Sequence, residues 1–145
     1  MIYTSAKIGR TFVVKFENND DLISELEKLI KKEKIRTGFF TLLGGLRKGD
    51  LVCGPKKTII PPDPRWVSFD DTWEAFGTGS IFEGESGPQI HIHISAGKGK
   101  KALTGCLRKN ANVFITIEAF IVELKGINAR KEIDPKTGIN MLKFL

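Results

Sequence analysis

The apolar positions of this chain alternate along most of its length and step at helical spacing only once. Thr11-Phe12-Val13-Val14-Lys15-Phe16 is β-branched and aromatic and predicts a strand. Glu17-Asn18-Asn19-Asp20 breaks it. The period then changes, because Leu22, Ile23, Leu26, Leu29 and Ile30 form one stripe at helical spacing. Asn19 or Asp20 can cap this segment, and Asp21 and Glu25 place negative charge near its start, so a helix is predicted over about 20–34. Thr37 to Leu43 reads as a strand closed by Gly44-Gly45, with Leu46 to Cys53 returning as its partner. Gly54 to Pro64 holds four of the six prolines, which cannot donate to a ladder, and reads as an irregular excursion or an edge. Trp73 to Phe82, residues 89–95, Asn112 to Leu124 and Ile139 to Phe144 read as further strands, with turns at Glu83–Pro88 and Asp134–Gly138. One helix and about six to eight strands, joined by turns too short for crossover helices, predict a single α+β domain over residues 1–145. Its sheet should be mostly antiparallel, with the helix packed on one face.

The chemistry concentrates in one of these strands. Both histidines of the chain lie in Gln89-Ile90-His91-Ile92-His93-Ile94. Side chains at i and i+2 of a strand share a face. His91 and His93 therefore point one way, while Ile90, Ile92 and Ile94 point the other. Two imidazoles so placed can converge on one metal ion. Cys106 is the leading third ligand, because the Gly97-Lys98-Gly99 turn can fold the chain back toward the strand. Thiolate and imidazole are both favoured zinc ligands. The residues equally allow a pair of hydrogen-bonded histidines and a small buried cysteine.

Composition narrows the picture a little. The chain is long enough, at 145 residues, to bury its own core. It contains no apolar run of transmembrane length, and Met1-Ile2-Tyr3-Thr4-Ser5-Ala6-Lys7 lacks the apolar centre of a secretory signal, so a cytoplasmic location without a membrane partner is expected. There Cys53 and Cys106 would stay reduced, with Cys53 structural. The net charge of +6 suits an anionic partner without demanding one. Lys28, Lys31, Lys32 and Lys34 lie among acids on the predicted helix. Lys98, Lys100 and Lys101 cluster at a loop tip, with Arg108 and Lys109 shortly after. A solvated surface accounts for these charges more economically than a nucleic-acid patch.

Four places resemble the plants-and-prokaryotes-conserved (PPC) domain, in its prokaryotic single-domain form, in order and spacing. They are Arg10 before the first strand, Leu43-Gly44-Gly45-Leu46, Trp73-Glu74-Ala75-Phe76-Gly77-Thr78-Gly79-Ser80-Ile81, and Pro88-Gln89-Ile90-His91-Ile92-His93-Ile94. The resemblance implies an α+β sandwich and a homotrimer. Prokaryotic relatives carry a third histidine in a Gly-Gly-His-Leu segment, where this chain has Thr104-Gly105-Cys106-Leu107. Cysteine can replace histidine as a ligand, so the departure favours a metal site of His91, His93 and Cys106 holding one zinc per chain. Plant relatives join the domain to AT-hooks that grip DNA. No such Gly-Arg-Gly-Arg-Pro-like run occurs here, so DNA binding transfers poorly.

Three functions follow. The first is a zinc-binding homotrimeric module that takes a small-molecule ligand at the metal or serves regulation. The second is a zinc-dependent hydrolase or lyase working through a metal-bound water, with Glu74 or Glu118 as candidate base. A hydrogen-bonded or interface role for these two acids is the simpler reading. The third is a DNA-associated protein with weak, non-specific binding. No catalytic triad, phosphate-binding loop or C-x-x-C pair is available to support other chemistry.

Overall fold

Alternating β-branched and aromatic residues carry about two thirds of the chain into strands, and the computed structural model describes all 145 residues. In chain order the elements are β1 (Lys7–Glu17), α1 (Leu22–Glu33), β2 (Thr37–Pro55), β3 (Pro64–Phe69), β4 (Trp73–Gly84), β5 (Gly87–Lys98), β6 (Lys101–Lys125), β7 (Ala129–Ile133) and β8 (Asn140–Phe144). The expected α+β sandwich is therefore corrected. The fold is one large, nearly all-β mixed sheet, with a single short helix of 12 residues. No helix is long and apolar enough to cross a membrane.

The helix forms where the period predicts it, with Asp21 rather than Asn19 or Asp20 as its cap. The Asp21 carboxylate accepts a hydrogen bond from the Ser24 amide at 2.9 Å. Lys34, in the left-handed region at φ 54°, ends it. Leu22, Leu26 and Ile30 are fully buried, each worth about 2 kcal/mol of apolar burial. They join the core with Phe40, Ile92, Ile94, Ile117 and Ile121.

The largest departure from expectation lies at Gly44-Gly45. This pair does not turn the chain back. Residues 37–55 run on as one strand, which pairs antiparallel with β6 from Gly38↔Glu123 to Val52↔Cys106. Gly44 sits at φ +141°, and a Cβ there would lie 2.3 Å from the Thr116 carbonyl oxygen. The missing side chain thus serves close approach to β6 inside a continuous ladder. The proline-rich stretch is likewise an excursion for part of its length only, since Pro64 already opens β3 beside β2. β7 and β8 form a terminal antiparallel hairpin, joined to β4 by a parallel pairing at Glu83↔Arg130.

Four strands close a circuit: β2 pairs β6, β6 pairs β5, β5 pairs β4, and β4 returns to β2. β1 lies on β6, beside the end paired to the first half of β2. A bulge between Ile8 and Thr11 aims Arg10 at β6, where its Nε donates to Glu123 at 3.0 Å. The same guanidinium reaches the Glu33 carbonyl oxygen at 2.7 Å, fastening the end of α1. The Arg10 hydrogen bonds hold the Glu123 carboxyl down to about 2.

Two consequences can be measured. Gly44→Ala should destabilise the fold by about 2–3 kcal/mol, read as a lowered urea midpoint, because the new Cβ meets backbone. Glu123 has a depressed native pKa, so its contribution is complete above its ordinary pKa, 4.5, and is lost as pH falls toward 2. Glu123→Gln should therefore lower stability at neutral pH and flatten its decline across that acid window. An unchanged slope would show that the pair contributes nothing.

Candidate metal centre

The β5–β6 hairpin builds the site. Gly99, at φ 59°, lets the chain reverse, and the ladder runs from Lys98↔Lys101 to Ile92↔Leu107. Within it His93 stands directly opposite Cys106. Ile92 and Ile94 point into the core, at 2% and 1% exposure. His91 and His93 consequently project from the other face, the first half-buried and the second exposed. Cys106 lies on the histidine side and is buried.

The three predicted residues are thus brought together. Their ligand atoms all lie within 4.8 Å of one another. The Nε2 atoms of His91 and His93 are 3.1 Å apart, with the rings edge to face. Ligand atoms around a tetrahedral zinc are separated by about 3.3–3.6 Å, from bond lengths near 2.0–2.3 Å. A small rotation of the cysteine or the rings would satisfy that geometry, so the donor set fits a metal ion.

The electrostatics fit as well. Burial, then the neighbouring His93, Lys131 and Arg108, hold His91 down to about 4, so it is neutral at physiological pH, as a ligand must be. Burial pushes the Cys106 thiol up, while Arg108 and Lys131 pull against that rise. Burial also lowers Lys131, with Cys106 opposing.

Around the triad lies an open cleft of about 620 Å³. Its walls include Val52, Pro55, Pro62, Pro64 and Trp66, so the proline excursion forms one side of the site. A second cavity of about 270 Å³ shares His91, Arg108 and Ile139 with it and adds Gln89, Lys131 and Asn140. No carboxylate lines either space.

The two acids considered as bases lie elsewhere. Glu74 is opposite Gly97, four residues along β5 from His93, and exposed. Glu118 is exposed between Lys15 and Leu43. Lys98 at the hairpin tip is paired with Asp71. Cys53 is a free thiol packed against the core. Sequence reasoning missed Trp66, Arg108 and Lys131 as neighbours of the site. Arg108 was legible, since it lies two residues from Cys106 on one strand. Lys131 reaches the site from the distant β7, and nothing local marks it.

Comparison with known proteins places this architecture. No curated protein matches the chain. Among solved structures, a metal-containing protein from Archaeoglobus fulgidus superposes with a TM-score of 0.85 at 20% identity, over 100% of this chain and 99% of that one. A plant- and prokaryote-conserved protein from Pyrococcus horikoshii gives 0.84 at 19% identity, with the same coverage. A candidate DNA-binding protein from Bacteroides thetaiotaomicron gives 0.79 at 21% identity, over 96% of this chain and 97% of that one. At these identities the likeness is one of fold. The sequence itself matches the family model over residues 3–125, which takes in every element from β1 to β6 and all three clustered side chains, and on that match the chain belongs to the Plants and Prokaryotes Conserved domain family.

Proposed function

We propose that this protein is a self-associating metal-binding module in which His91, His93 and Cys106 hold one zinc ion per chain. The observation that carries the reading is the convergence of three ligand atoms within 4.8 Å at the floor of an open cleft. Two imidazoles and a thiolate suit zinc and discriminate against magnesium and calcium. Zinc bound by three protein ligands supplies a Lewis-acidic centre with a position left for a further ligand. The chain's own residues shape what reaches it: Trp66 and the prolines make an apolar wall, and Arg108 and Lys131 a basic one. A role in binding a small molecule, or in regulation through it, is better supported than hydrolysis, since the cleft contains no carboxylate to act as base. The metal-containing Archaeoglobus relative is consistent with this assignment. Free thiols at Cys53 and Cys106 suit a reducing cytoplasm.

The self-association proposed is a homotrimer. Val13, Phe39, Leu43, Phe76 and Phe120 are large, exposed and apolar, and the ladder registers put them on one face of β1, β6, β2 and β4. A contiguous face of this kind calls for a partner, and closed symmetry among copies covers it on every chain. DNA contact is proposed as weak and non-specific, driven by the +6 charge.

Elemental analysis of the purified protein should find about one zinc per chain, and His91→Ala should weaken binding at least about 100-fold, as expected for loss of one of three ligands. One metal per chain retained in both His91→Ala and Cys106→Ala would disprove the assignment. Because Cys106 must release its proton to bind, affinity should fall as pH falls, and Cys106→Ala should make that dependence shallower. Light scattering at micromolar concentration should give three times the chain mass, and Phe120→Lys should reduce it. A monomeric mass for the unaltered protein counts against the trimer. Duplex DNA should bind without sequence preference and release with added salt; nanomolar, selective binding at physiological salt would overturn that part.

A further inference from the structure

Resting on the metal reading, we infer that the ligand of this site is a small organic carboxylate. Its carboxylate lies against Arg108 and Lys131 beside the metal, and its apolar body lies in the cleft along Trp66. Three observations carry this. First, Arg108 and Lys131 line the same cavity as His91, and neither is paired with a carboxylate: Arg108 hydrogen-bonds Cys106, and Lys131 lies over the Phe82 ring at 6.0 Å. The neighbouring acid, Glu132, is already engaged by Arg130 and Lys143. Lys131 is half-buried, and a half-buried cation without a counter-charge is costly, a cost that an anionic ligand offsets.

Second, the donor set is itself short of negative charge. One thiolate and two neutral imidazoles around a divalent zinc leave a net charge of about +1, and the two cations add to it. A guanidinium offers a planar fork that matches a carboxylate. Third, the polar cavity opens into the larger apolar cleft through shared residues His91, Arg108 and Ile139. Inorganic phosphate would fill the first space only. A molecule with both an anionic end and an apolar body uses both.

The test uses the full chain loaded with cobalt(II) in place of zinc, with benzoate as probe and benzamide as its neutral counterpart. Benzoate should change the cobalt absorption spectrum saturably, with half-saturation at about 1 mM or below. Benzamide should produce no change over the same range. Arg108→Ala and Lys131→Met should each weaken benzoate at least about tenfold, the size expected for loss of one charge-assisted contact, with cobalt stoichiometry unchanged. Equal binding of benzamide, or undiminished benzoate binding in both variants, would overturn the inference. The two readings fail differently. A chain that takes up no cobalt defeats the metal reading and this inference with it. A chain that holds one cobalt but shows no saturable response to benzoate defeats this inference alone.

Discussion

Everything in this protein hangs on one ladder, the antiparallel pairing of β2 with β6. From Gly38↔Glu123 to Val52↔Cys106 the two strands stay paired through four register shifts. Their outer edges carry the rest of the sheet. β4 and β3 line up along β2, and β1 and β5 along β6. The β4–β5 ladder then joins one edge to the other and closes the circuit. Because the strand period is two, a one-residue slip in this pairing would turn the buried Phe40 and Leu42 toward solvent and drive the exposed Phe39, Thr41 and Leu43 inward. Buried β-branched and aromatic side chains on the inner face therefore hold the register. The meeting of His93 with Cys106 is set by the β5–β6 hairpin, and the β2–β6 ladder adds Val52 on the other side of Cys106.

This explains which features could be read along the chain. The histidine strand, its inward isoleucines and the turn before Cys106 are local patterns, and local backbone geometry sufficed to place all three side chains. The helix was legible for the same reason, from its stripe and its acidic start. Gly44-Gly45 was not, because a glycine pair serves equally as a turn or as a close approach. What decides is the Thr116 carbonyl oxygen against Gly44, on a strand more than seventy residues away. Likewise the polar run Thr104 to Asn110 looks unlike a strand. It becomes one because β5 and β2 lie on either side and supply partners. Counting strands could not reveal that the ladder closes, with the β4–β5 pairing joining into one sheet what a sandwich would keep as two.

The outer face carries the same alternation to a different end. His93 is level with Thr78 on β4, Thr78 with Thr41 on β2, Thr41 with Phe120 on β6, and Phe120 with Val13 on β1. One row of side chains thus runs from the candidate metal centre into the exposed apolar face. At about 4.8 Å per strand, the path along the sheet from His93 is about 10 Å to Thr41 and about 14 Å to Phe120. The row changes character along its length, from imidazole through two threonines to phenylalanine and valine. Isolated chains expose all of it, yet only its first part has chemistry that water would serve. The apolar part is instead what a covered surface requires. Along this row Phe120 is three strands from His93, and Val13 four. The two threonines, exposed and polar, separate the imidazole end of the row from the apolar end, so covering Phe120 and Val13 leaves His93 open to solvent and to a ligand.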